Sequence, residues 1–140
     1  MRKALTELDH RLLALLRANG RESFVNLAEA LGSSEGTVRA HIKRLTDQGV
    51  ICRFTVRTRG ANLKALIEIQ SDTNVHTSDL TQRIADWPGV EVVYEVSGNE
   101  DLIVIAEADD TDQLDEIIEK IRKLPNVRST RSRLILKETA

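Results

Sequence analysis

The sequence predicts an α+β protein in two parts: an N-terminal helix-turn-helix domain, winged-helix-like, over residues 1–50, and a C-terminal ferredoxin-like βαββαβ domain over residues 64–140, joined by a linker strand at 51–63. Three observations predict it. Caps and apolar spacing mark three short helices in the first fifty residues. An apolar pattern recurs at an offset of 37 residues across the back half. The charge divides with the halves: residues 1–63 carry 11 Lys and Arg against 6 Asp and Glu, and residues 64–140 carry 9 against 16.

Leu5, Leu8, Leu12, Leu15 and Leu16 recur at helical spacing behind Thr6 and Asp9, a capping-box pair, and Gly20 is a stop signal. Ser23 caps a second helix through Leu27, Ala28 and Leu31 to Gly32. Ser34 caps a third that runs to about Gln48 and stops at Gly49. The run Leu31-Gly32-Ser33-Ser34 is a tight turn, and small Ala28 lets two helices cross closely, which is helix-turn-helix geometry. On a helical wheel Val38, Ile42 and Leu45 face the core. The opposite face is then Gly36, Ala40, Lys43 and Arg44, flanked by Arg39 and Thr37, a small-residue stripe edged with cations that fits a major groove. Ser34, Glu35, Gly36, Thr37, Arg39 and Ala40 occupy the end that meets base edges, while Lys43 and Arg44 suit phosphates.

From Lys64 the pattern becomes strand Lys64–Ser71, helix Ser78–Asp86, strands Val90–Ser97 and Leu102–Ala108, helix Asp112–Lys123 and strand Val127–Lys137. The repeat pairs Leu66 with Ile103, Ile67 with Val104, Leu80 with Ile117, Ile84 with Ile121, Trp87 with Leu124, Pro88 with Pro125 and Val90 with Val127. Two βαβ halves follow. A four-stranded sheet with helices on one face leaves the other face needing cover, and homodimerisation supplies it. Trp87 and Tyr94 read as core or interface packing.

Several classes are excluded by what the sequence lacks. No run of about 18 apolar residues is present to span a membrane, and MRKALTELDH lacks a secretory core, so a cytoplasmic location is expected. Cys52 is the single cysteine, expected to be buried rather than reactive, and His10, His41 and His76 have no zinc-ligand spacing with it. No metal, cofactor or catalytic residue is expected. There is no nucleophile–base arrangement and no phosphate-cradling loop, and Asp109-Asp110-Thr111-Asp112 is better read as helix capping than as a calcium loop.

The run from Leu8 to Ile51 resembles the DNA-binding domain of the Lrp/AsnC, or feast/famine, regulators. The matching pieces are Leu8-Asp9, Asn19-Gly20-Arg21, Leu27-Ala28, Ser34 with Thr37-Val38, and Gly49-Val50-Ile51. The resemblance implies a transcriptional regulator of double-stranded DNA. His41 stands where the family usually has arginine, and Ser33 replaces a usual aliphatic residue. His41 is read either as packing at the core's edge or as a weaker, pH-dependent phosphate contact.

The back half resembles the same family's sensing and assembly domain. The resemblance implies homodimers joined by paired sheets and by the linker strand, associating further into tetramers or octamers. Gly98-Asn99-Glu100-Asp101 matches the family's G-x-x-D loop, which implies an amino-acid effector site completed by Thr130 and Ser132 and by a neighbouring dimer. Backbone amides there suit a carboxylate, and Asp101 suits an ammonium. FTVRTRG, VYEVSGNEDLIVIA and TRSRLILK look like the archaeal lysine-biosynthesis regulators, and Glu100 with Asp101 suits a cationic side chain. Lysine is therefore the favoured effector, arginine or glutamine next. The alternatives are a ligand-independent architectural DNA binder and an amino-acid-binding allosteric subunit of an enzyme.

Overall fold

The computed structural model describes residues 4–74 and 76–139; Met1, Arg2, Lys3, Val75 and Ala140, including the outer ends of both expected domains, lie outside the described residues. The chain divides into two compact units, Met1–Arg57 and Thr58–Ala140.

The first unit holds helices α1 (Glu7–Ala18), α2 (Phe24–Leu31) and α3 (Glu35–Asp47). Their starts are chemical. Thr6 and Asp9 exchange the two bonds of a capping box, Ser23 Oγ accepts the Asn26 amide, and Ser34 Oγ accepts the Thr37 amide. Gly32, at φ +63°, ends α2 in the left-handed conformation that lets α3 depart across it. Leu12, Leu27, Ala28, Leu31, Val38 and Leu45 form the core, with Ile42 partly buried against it. Asp9 is buried with them.

The second unit is β1 (Leu63–Ser71), α4 (Thr77–Ala85), β2 (Val90–Glu95), β3 (Leu102–Ala108), α5 (Thr111–Arg122) and β4 (Val127–Ile135). Its antiparallel sheet has the order β2-β3-β1-β4, the ferredoxin-like arrangement. Alternation along the strands decides the core. Ala65, Ile67 and Ile69 of β1 and Leu102, Val104, Ala106 and Ala108 of β3 are buried with Leu80 and Ile84 of α4 and Leu114 and Ile121 of α5. Leu66, Glu68, Ile103 and Ile105 fall on the opposite parity and are only partly covered. Asp110 caps α5 by accepting the Gln113 amide, so the acidic run does serve as a cap.

Residues 51–62 join no ladder within the single chain, whose first strand begins at Leu63; the expected linker strand takes a second copy as its pairing partner. One expectation needs correction. Cys52 is exposed, not buried, its thiol directed to the Gly49 carbonyl at 3.6 Å. Trp87 packs partly buried on the core beneath the Lys120 ammonium, while Tyr94 is exposed.

Candidate nucleic-acid interface and effector loop

The face of α3 opposite Val38 and Leu45 points to solvent, and Ser34, Glu35, Gly36, Arg39, Ala40 and Lys43 on it are exposed, with Thr37 half-buried. The side chains fall into two kinds. Ser34 and Thr37 are tied to one another, hydroxyl to hydroxyl at 2.9 Å, as part of the helix cap. Arg39 lies over the Phe24 ring at 4.1 Å, so its guanidinium is braced against α2 while remaining exposed. Lys43 pairs with Asp47 at 2.6 Å, both well exposed; such an i,i+4 pair is worth a few tenths of a kcal/mol (about 0.3–0.5) and yields readily to a phosphate.

Gly36 is the informative member of the stripe. An added Cβ would meet only Ser34 Oγ, at 3.9 Å, and the backbone does not need a glycine there. Glycine inside a helix costs up to about 1 kcal/mol relative to alanine. Nothing within the first unit demands that cost.

Arg44, expected at a phosphate, is engaged within the unit. Its Nη2 donates to the buried Asp9 Oδ1 at 2.5 Å, while the side chain stays about a third exposed. A buried carboxylate must be compensated, and Asp9 also accepts the Thr6 amide on Oδ2 at 2.9 Å. His41 Nδ1 stands 2.7 Å from the same Oδ1 and must carry a proton there, because a bare nitrogen would set two lone pairs against each other. The 3.2 Å approach of Arg44 to His41 Nδ1 is then proximity within the cluster. Arg44, outweighing the cost of burial and helped by His41 and Thr6, holds the Asp9 carboxyl well below the usual carboxylate range. His41 is therefore more than edge packing. Asp9 was legible in the sequence only as a capping residue.

In the second unit Gly98 sits at φ +132° with open space around it, so backbone conformation and not crowding calls for glycine. Asp101 is engaged inside the chain: its Oδ2 accepts the Ser71 amide at 2.7 Å and the Ser71 hydroxyl at 2.9 Å. Within the chain it holds the loop, with Oδ2 committed to Ser71. Gln70 Nε2 donates to the Asn99 carbonyl at 2.9 Å and Gln70 Oε1 accepts from Ser129 Oγ at 2.9 Å, a second brace on the open face of the sheet. Gln70, Ser71 and Ser129 were not anticipated. A polar residue at the inward parity of β1 was the available signal for Ser71.

Thr130 and Ser132 lie opposite Ile69 and Ile67, on the helix side of the edge strand β4. The Thr130 hydroxyl accepts from Arg122 Nε at 3.2 Å, and Ser132 is exposed. Glu100 is half-buried. Within one chain the loop's braces come from Gln70, Ser71 and Ser129, not from these two hydroxyls. Among the described residues no group of three His, Cys, Asp or Glu could hold a metal ion, and no helix is long and apolar enough to cross a membrane.

A capped helix-turn-helix unit followed by a two-helix, four-stranded sheet unit defines a DNA-binding regulator with a ligand-binding domain. Residues 5–51 match the model of the winged helix-turn-helix DNA-binding domain, and residues 64–140 match that of the Lrp/AsnC ligand binding domain. The chain belongs to the Lrp/AsnC family of transcriptional regulators. It is similar to the HTH-type transcriptional regulator LysM of Saccharolobus solfataricus, 34% identical over 95% of this chain and 94% of that one. It is also similar to the crystal structure of the Mycobacterium tuberculosis leucine response regulatory protein LrpA, at TM-score 0.81 and 28% identity over 97% and 95% of the two chains. A homocitrate synthase of Sulfurisphaera tokodaii is 43% identical over 77 residues, 55% of this chain but 17% of that enzyme. The LysM proteins of Saccharolobus solfataricus and Sulfurisphaera tokodaii, each matched over 94% of its own length, are named as transcriptional regulators.

Proposed function

We propose that the chain is a sequence-specific regulator that reads duplex DNA with α3 and answers to an amino acid, lysine first, with arginine or glutamine next. Residues 1–50 carry the DNA contact, 51–63 link, and 64–140 carry the effector site and the assembly surface. Gly36 is the observation that supports the DNA reading most strongly. A helix that keeps a destabilising glycine on its exposed face, with no need for it within its own unit, is shaped for close approach by something outside. Ala40 extends the same low surface, Lys43 edges it with a readily released cation, and Arg39 is braced to present a planar donor set to a base edge.

The effector reading is supported by Gly98, whose positive φ turns an exposed loop with open space around it, and by half-buried Glu100 in the same loop. Arg39→Ala should relax sequence preference, costing about 1–3 kcal/mol at the favoured site and little elsewhere. Thermal-shift measurements with each of the twenty amino acids test the sensor. A shift with lysine that Gly98→Val abolishes is the expected result. No shift with any amino acid leaves the architectural reading in its place.

In this proposal the effector site is completed by a second dimer, so the protein works as a homodimer that associates into a tetramer or octamer, in the cytoplasm. The homocitrate synthase match covers part of this chain only, and the basic recognition helix has no use in an enzyme's allosteric subunit.

A further inference from the structure

Asp9 is the single buried charged side chain among the described residues of the first unit's core, and besides Thr6 at the cap of its own helix the groups that compensate it come from α3. We infer that Asp9 is a positioning residue for DNA reading: it withholds the Arg44 guanidinium from the phosphate backbone and, through Arg44 and His41, fixes the rotation of α3 against α1. The inference rests on the reading of α3 as the DNA-contacting helix.

The geometry carries it in three steps. Asp9 is fully buried, and Arg44 and His41 converge on one of its oxygens at 2.5 and 2.7 Å, while Thr6 takes the other. Leaving that oxygen for a phosphate would strand an uncompensated charge in an apolar core, so the guanidinium stays. Arg44 and Asp9 then cancel, and the pair adds nothing to the attraction for a polyanion. Lys43, one position earlier in α3, is the opposite case: its partner Asp47 is exposed and holds it weakly. Two adjacent basic residues on one helix thus have different jobs. His41 and Arg44 are one turn apart, so anchoring both to a single carboxylate fixes which side of α3 faces outward. That rotation sets the presentation of Gly36, Arg39 and Ala40.

Salt dependence separates these roles, because each phosphate neutralised adds about 0.9 to the slope of log affinity against log salt. The slope is measured by fluorescence anisotropy on the full chain with a duplex operator and with a random duplex. Lys43→Gln should lower the slope by about 0.9 per protomer. Arg44→Gln should leave the slope where it was and instead reduce discrimination between operator and random duplex, about tenfold. Asp9→Asn frees Arg44 and should raise the slope by about 0.9 per protomer with a similar loss of discrimination. The double variant Asp9→Asn with Arg44→Gln should return the slope to that of the parent.

Far-UV circular dichroism establishes that each variant is folded. If Asp9→Asn does not fold, Arg44→Gln and the double variant decide the matter on their own. An Arg44→Gln slope that falls as far as that of Lys43→Gln overturns the inference and leaves the DNA reading of α3 standing. A Lys43→Gln slope equal to the parent's overturns the reading of α3 itself.

Discussion

Asp101 and Arg44 are each ionised residues aimed, on sequence grounds, at a ligand, and each is found bound to its own chain. Their situations differ in burial. Arg44 is about a third exposed but its partner Asp9 is not exposed at all, so removing Arg44 should cost toward the lower end of the ~3–5 kcal/mol typical of a broken buried pair. Asp9 also predicts an acid response. Its carboxyl titrates well below the usual range when folded and near ~3.9 when unfolded, so on acidification the unfolded chain takes up its proton first. The stabilisation from Asp9 is complete above about pH 5 and is lost as pH falls through the unfolded value toward the folded one. Urea midpoints of the parent should therefore drop more steeply than those of Asp9→Asn between about pH 4 and pH 2; parallel curves would mean the pair is not formed in solution. At Asp101, asparagine still offers one acceptor oxygen to Ser71, so Asp101→Asn should weaken the loop modestly. The variant should keep effector-dependent thermal shifts if the carboxylate serves the loop alone, and lose them if it also meets the ligand's ammonium.

The helices of the first unit were legible almost to the residue, because Thr6 with Asp9, Ser23 and Ser34 are capping signals whose chemistry is local and independent of tertiary contacts. The strands were equally legible where burial alternates, as in β1 and β3. What was not legible is what joins distant elements: Asp9 to His41 and Arg44 across 32 and 35 positions, or Asp101 to Ser71 across 30. A sequence pattern gives a residue's face but not its partner. The linker shows the same limit, since a strand cannot be assigned to a segment until its ladder partner is known. Two variants test α3 as an element. Gly36→Ala should stabilise the first unit by up to about 1 kcal/mol in chemical denaturation while weakening operator binding, a trade of opposite signs that an ordinary surface position would not show. Ser34→Ala should cost about 1 kcal/mol through the lost cap and weaken operator binding through fraying of the first turn, where the base-contacting residues lie.

For the whole molecule, the surplus of basic residues before position 64 and of acidic residues after it means that the polyanion is met by one unit while the other repels it. That arrangement suits the proposed function, in which the second unit binds a small ligand and other copies of the chain. The half-buried, partly apolar parity of the sheet, with Leu66, Ile103 and Ile105, is the surface such copies would cover. If the effector site is shared between dimers, ligand binding and assembly are thermodynamically linked, and sedimentation velocity should show a change in the oligomer distribution on adding lysine that Gly98→Val removes. The most direct test of the central claim is binding of the full chain to its operator duplex at low salt, titrated with lysine. Tight, salt-sensitive binding whose affinity or stoichiometry changes with the amino acid is the expected result; a protein that binds no duplex at low salt would not be a DNA-reading regulator of this kind.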